Sequence, residues 1–278
     1  MKLFKKKHIP DILAYTILII LSIFCLIPLI WQMSTSFKAL PEIMQNATNL
    51  LPKKFIWDNY RIVLTTVGFP RYLLNSLFVS LTSMVISMIL SCICAYSIVR
   101  FFPKIADNIT RLLMTAYMFP AILLVTPYFI LTSSIGMANS LLGLIIVYMS
   151  FTIPYCTWML TGYYHGIPDE IEEAAKIDGA SKFKTFYKIS LPLIAPGIVA
   201  TSIFAFINAW NEFLYSLVLI SSGSKKTVSV ALYSLTGGET LRYGEMMAAS
   251  VLVIIPSMVL FFIIQKRLVG GLTGGAIK

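Results

Sequence analysis

The sequence predicts an all-α integral membrane domain of six transmembrane helices, with one charged loop set between the fourth and the fifth. Three observations carry this. Of 278 residues, 58% are hydrophobic and only 12% are charged, about half the usual charged share of soluble domains. The charges are segregated: there are none from Ile12 to Phe37, Tyr72 to Val99, Leu112 to Tyr164 or Met246 to Gln265, and none between Lys188 and Glu212. One segment, DEIEEAAKIDGASKFKTFYKISLP at 169–192, gathers five acids and four lysines into 24 residues.

The charge-free runs set the spans. About 20 apolar residues at 1.5 Å each cross roughly 30 Å of hydrocarbon. The 53-residue run from Leu112 is too long for one helix. It breaks at TSSIGMANS, 132–140, a turn-rich patch with Gly136 and Asn139. The expected spans are 12–33, 73–99, 112–132, 141–163, 197–220 and 246–265, in one domain covering 1–278 with a loop at 164–192. The apolar core of the first run is longer than the roughly 7–15 residues of a signal peptide, so an uncleaved first span is expected.

Orientation follows from the basic residues. Intracellular loops of membrane proteins collect Lys and Arg, and MKLFKKKH places four lysines before the first span. With that end in the cytoplasm, 14 of the 22 Lys and Arg fall inside, and the C-terminus and the 164–192 loop are cytoplasmic too. The net charge of +10 then reads as topology, and no nucleic-acid partner is expected.

Two spans carry polar patterns. In the second, Ser76, Ser80, Ser83, Ser87 and Ser91 recur on one helix face. Such a stripe of small residues lets another helix approach closely and share hydrogen bonds; a polar pore wall is the alternative. In the fifth, Thr201, Ala205, Asn208, Asn211, Glu212 and Tyr215 share a face by i, i+3, i+4 spacing. Glu212 is the one formal charge inside any expected span. An ionisable group at depth is costly and must face a partner or water. Asn208, Trp210, Asn211, Glu212 and Tyr215 are therefore candidates for a translocation path, with a structural hydrogen bond to a neighbouring helix as the other reading.

No catalytic residue is expected. Cys25, Cys92, Cys94 and Cys156 all fall in spans and read as small buried apolar side chains. With His8 and His165 the only histidines, neither a metal site nor a catalytic histidine constellation is expected. GSKKT at 223–227 lacks the first glycine of a phosphate-binding loop.

The charged loop is patterned for two short helices. Pro168 suits a first turn, where its missing N–H costs nothing, and Asp169, Glu170, Glu172 and Glu173 suit the positive helix end. Glu172 and Lys176 form an i, i+4 pair in the better orientation. Ile171, Ala174, Ala175 and Asp178 share a face of little bulk. Gly179 is placed to stop the helix in the left-handed conformation, and Ser181 to cap the next. That second helix presents Phe183, Phe186 and Tyr187, and Pro192 and Pro196 end it. The arrangement suits docking into a partner's groove; a solvated surface pair is the alternative.

EAAKIDGASKFKTFYKISLP resembles the signature loop of ATP-binding-cassette importer permeases: Glu-Ala-Ala, three residues, Gly, nine residues, Ile, one residue, Leu-Pro. Glu173-Ala174-Ala175, Gly179, Ile189 and Leu191-Pro192 keep that spacing throughout. In that family the loop forms a coupling helix seated in a cleft of the ATPase subunit, which implies coupling roles for Glu173, Ala174, Ala175, Asp178, Gly179, Ala180, Ile189, Leu191 and Pro192. STSFKALPEI at 34–43, NY at 59–60, YLLNSL at 72–77, AYSIVR at 95–100, AWNEFL at 209–214 and the tail GGLTGGAIK resemble the maltose-type carbohydrate permeases, and in particular the paired subunit with the Gly-rich tail. In that subunit the tail reaches between the two ATPases, which implies contacts through Gly271, Leu272, Thr273, Gly274 and Gly275, whose glycines let a backbone thread a narrow gap.

The resemblance implies a type I importer permease fold in the cell membrane. It implies as partners a second permease subunit in a heterodimer, two ATPase subunits and an extracytoplasmic solute-binding protein. It implies a sugar as the cargo. ATP and Mg are held by the ATPase, and this chain holds no cofactor. The rival is a proton- or ion-coupled secondary transporter with Glu212 as carrier, which leaves 169–192 without a role.

Overall fold

The computed structural model of the chain describes residues 8–45, 48–237 and 242–274, with 8–11, 264 and 266–274 described by their backbone alone. Among these the regular structure is helical, without a strand. In order the helices are α1 (His8–Ser36), α2 (Leu40–Gln45), α3 (Asp58–Thr65), α4 (Phe69–Phe101), α5 (Ala106–Tyr117), α6 (Ala121–Ser134), α7 (Leu141–His165), α8 (Asp169–Ile177), α9 (Lys182–Thr185), α10 (Leu191–Leu193), α11 (Ala195–Asn211), α12 (Leu214–Leu219), α13 (Val228–Ser234) and α14 (Tyr243–Gly274). Helices α1, α4, α7 and α14 are each long and apolar enough to cross a bilayer. Two bent pairs raise the number to six when each counts as one span.

The third and fifth expected spans each contain an interruption. The third is two helices meeting at 87°. Pro120 lies between them in extended conformation and restricts the residue before it to non-helical geometry. Around the fifth, the segment Lys182–Leu193 meets Ala195–Asn211 at 75°, with Pro196 in the first turn of α11. A second interruption follows, because α11 stops at Asn211, Glu212 is extended, and α12 starts at Leu214. The six residues expected on one face therefore do not lie on one helix.

The chain divides into two compact units, Met1–Phe69 with Leu232–Ile254, and Pro70–Ala231 with Ile255–Lys278. In the first, α1 exposes its side chains on every side from Ile12 to Ile30. An all-round apolar helix of this kind is stable against lipid or another chain. Beyond α1 the chain is tied by polar groups. Asn59 donates to the carbonyls of Ser36 and Lys38 at 2.8 and 2.9 Å, and Ser36 shares a 2.8 Å hydrogen bond with Tyr60. The Lys38 ammonium is buried and donates to the Asn49 carbonyl. Asn59 also fills the space where any side chain at Gly244 would project, so Gly244 permits a close backbone approach.

In the second unit α7 is the central helix, packed against α5, α11 and α12. It buries Leu144, Val147, Tyr148, Cys156, Leu160 and Tyr164. The serine stripe of α4 is fully internal, with Ser80, Ser83, Ser87 and Ser91 at 0% exposure. Ser76 accepts the N–H of Val228 at 2.8 Å, and Ser91 donates to the Ile153 carbonyl at 3.3 Å. The stripe packs helix to helix, and the pore-wall alternative falls away.

Candidate functional site

The charged loop folds as two short helices around a glycine turn. Pro168 precedes the first turn of α8 in extended conformation. At the other end, Ala180 N–H bonds to the Ala175 carbonyl at 2.9 Å and Gly179 N–H to that of Lys176 at 3.1 Å. This paired termination requires the left-handed residue that Gly179 supplies at φ +77°. Ser181 then accepts the N–H of Lys184 and caps α9. A single π-type turn, Phe186–Ser190, follows, and α10 carries Pro192 in its first turn.

Glu172 is not on the surface with Lys176, as the local spacing suggested. It is 3% exposed and faces Arg100 at the end of α4, with Nε donating to its carboxylate at 3.0 Å. The same guanidinium reaches Asp169 at 2.5 Å and the Ile167 carbonyl at 3.1 Å. The Ser190 and Tyr96 hydroxyls donate to the Glu172 oxygens at 2.8 and 3.2 Å. A buried ion pair is tolerated when further hydrogen bonds support it, and here every guanidinium nitrogen and both carboxylate oxygens have a partner. The Glu172–Arg100 pair thus joins the end of α4, the α7–α8 junction, α8 and the return turn. Local pattern could not reveal the pairing, which spans 72 residues of chain.

The anchored side of α8 also takes Ala175, which is buried, so Ala175 does not share an outer face with Ala174 as expected. Outward lie Glu173, Ala174, Ile177 (86% exposed), Asp178 and Gly179. Beyond the turn, Phe183 and Tyr187 are exposed with parallel rings 6.5 Å apart. Ala180, Ile189 and Leu191 are half-buried and Pro192 is exposed. Of the tail candidates, the backbone of 271–274 forms the last turn of α14, and Gly275 lies outside the described residues.

A second site lies where the helices are interrupted. The Glu212 carboxylate accepts the Tyr215 N–H at 2.7 Å and the Ser216 N–H at 3.1 Å, capping the start of α12. The Tyr148 hydroxyl, fully buried on α7, donates to it at 2.6 Å. Tyr215 in turn donates to the Ala121 carbonyl at 3.3 Å, beside the α5–α6 bend. Both interruptions therefore border one cavity of about 480 Å³, lined among others by Tyr117, Tyr128, Ser150, Phe151, Asn208, Asn211, Glu212 and Tyr215. In a membrane protein, non-helical backbone is tolerated where it lines such a cavity, and interrupted helices mark binding sites in transporters.

Four of the five residues expected on a path, Asn208, Asn211, Glu212 and Tyr215, line this cavity. Trp210 does not. It is 1% exposed and stacked on Phe206. Sequence reasoning missed Phe151, Tyr128 and Ser150; nothing in the spacing within α6 or α7 points to Glu212. Among the described residues no group of His, Cys, Asp and Glu is placed to hold a metal.

Comparison with known proteins places these features. The family described as "Binding-protein-dependent transport system inner membrane component" matches residues 87–273, which include both sites. The inner membrane ABC transporter permease protein YcjP of Escherichia coli is 33% identical over 275 residues, 98% of each chain. The trehalose/maltose transport system permease protein MalG of Thermococcus litoralis is 36% identical over 264 residues, 94% of each. In fold, the chain matches a subunit of a bacterial ABC transporter involved in the import of the acidic polysaccharide alginate, with a TM-score of 0.77 at 22% identity, over 95% of this chain and 98% of the other.

Proposed function

The chain belongs to the family of binding-protein-dependent transport system inner membrane components, and from that premise we propose that it carries a sugar across the cell membrane, driven by ATP hydrolysed on a separate subunit. It is a multi-pass ABC importer permease. The sugar class is supported by relatives whose own names are those of trehalose and maltose systems. The partners in this reading are a second permease subunit, two ATPases that bind ATP and Mg, and an extracytoplasmic solute-binding protein. Both termini and α8 face the cytoplasm.

The observation that carries the reading is the build of α8. Its inner side is fastened through Glu172 to Arg100, and its outer side offers Glu173, Ala174 and Ile177. A helix held from behind and bare in front receives a push and passes it on. In alternating access, closure of the ATPases would drive the two coupling helices together and open the path outward. Ala180, Ile189, Leu191 and Pro192 shape the turn and return that hold this helix, and the 271–275 tail adds a contact between the ATPases. The rival carrier role for Glu212 has less support. Its oxygens are already taken by Tyr148 and two backbone N–H groups, and it leaves α8 unexplained.

Gly179→Asp tests the coupling role. A left-handed backbone costs a residue with a Cβ about 1–2 kcal/mol, and the new carboxylate stands on the docking side. The expected result is normal membrane insertion with loss of ATPase co-purification. Normal co-purification contradicts the reading, as does solute uptake by the purified chain at a rate indifferent to nucleotide.

A further inference from the structure

We propose that the cavity at the two helix interruptions binds an uncharged saccharide and disfavours acidic sugars. This rests on the importer reading above and concerns this chain's own share of the path. The cavity's size, about 480 Å³, falls in the range of about 300–1,000 Å³ common to small-ligand sites. Its wall pairs two kinds of surface. Phe151 and Tyr215 stack at a 15° interplanar angle, and Tyr128 meets Tyr215 edge-on. The C–H face of a sugar ring is apolar and packs on such rings, while its rim of hydroxyls needs a few placed polar groups. Those groups are present. The Asn211 amide is exposed and makes no side-chain hydrogen bond among the described residues, and the Tyr128 and Ser150 hydroxyls sit 2.6 Å apart with lone pairs to spare.

The charge of the wall sets the discrimination. No Lys, Arg or His lines the cavity among the described residues, and the one ionisable acid there is Glu212. Its carboxyl oxygens are engaged by Tyr148 and two backbone N–H groups. A uronate or sugar phosphate would bring its charge against this wall with no cation on it to pair with. A neutral ring meets only hydrogen-bonding groups and aromatic faces.

The test measures uptake of radiolabelled maltose, trehalose and cellobiose, and of their C6-oxidised uronate forms, by cells carrying the intact importer. Membrane level and ATPase co-purification control for folding. The expected result is uptake of at least one neutral disaccharide, at least tenfold faster than its uronate, and a tenfold or greater drop in that uptake for Phe151→Ala and for Asn211→Ala. Equal or faster uptake of uronates overturns the inference while leaving the importer intact. So does wild-type uptake by both variants. Failure to move any of these compounds overturns the inference as stated, whereas uptake indifferent to ATP hydrolysis sinks the importer reading itself.

Discussion

Glu172 and Glu212 are two acids withdrawn from bulk water by opposite means. Glu172 is satisfied from afar: a guanidinium on α4, a hydroxyl on α4 and a hydroxyl beyond α9 converge on it. Glu212 has no cation partner among the described residues. It is held by the first backbone N–H groups of the helix it starts, with one tyrosine from α7. The first arrangement makes a joint, because separate segments must move together or lose a buried charge pair. The second makes a mostly local plug that shapes a wall, with a single side-chain bond reaching it from α7. In this chain the joint sits behind α8, the proposed docking helix, and the plug beside the cavity.

That contrast can be attacked directly. The largest effect is expected from Arg100→Ala, which strands the buried Glu172; breaking such a pair by removing one partner costs about 3–5 kcal/mol. Limited proteolysis should then cut within 169–192, and the ATPase should no longer co-purify. The double exchange Arg100→Glu with Glu172→Arg should restore part of the loss, and an ATPase-binding Arg100→Ala chain would show that the joint is dispensable. Glu212→Gln is expected to cost about 1–3 kcal/mol, because one oxygen becomes a donor facing donors. Assembly should persist while uptake falls, and unchanged uptake would make Glu212 a helix start and nothing more. Smallest is Ser181→Ala, which removes a cap for about 1 kcal/mol. It should fray α9 in hydrogen exchange without releasing α8, whose anchor is Glu172.

Much of this was legible beforehand. The charge-free runs mark the long helices because burial in lipid forbids charge, and the Gly179 and Ser181 turn is local chemistry that a short window contains. What stayed hidden was direction and distance. Hydropathy across 112–132 is the same for a straight span as for two helices meeting at 87°, although Pro120 hinted at the break. AWNEFLYS is permissive for a helix, and the break after Asn211 is held by the local cap from Glu212 together with one tertiary bond from Tyr148. Arg100 was visible as a basic residue at a span's end, but its pairing with Glu172 is a property of the fold. Trp210 was chosen for its chemistry, and packing against Phe206 decided otherwise.

Among the spans, α4 stands apart. It has 33 residues, no interruption, and its one proline, Pro70, in the first turn. At 1.5 Å per residue it is a rod of about 50 Å, gripped near its end through Arg100. A tilt of about 5° imposed at that grip swings the far end by about 4 Å. A lever of this length turns a small displacement at the fulcrum into a stroke comparable to the width of a water molecule.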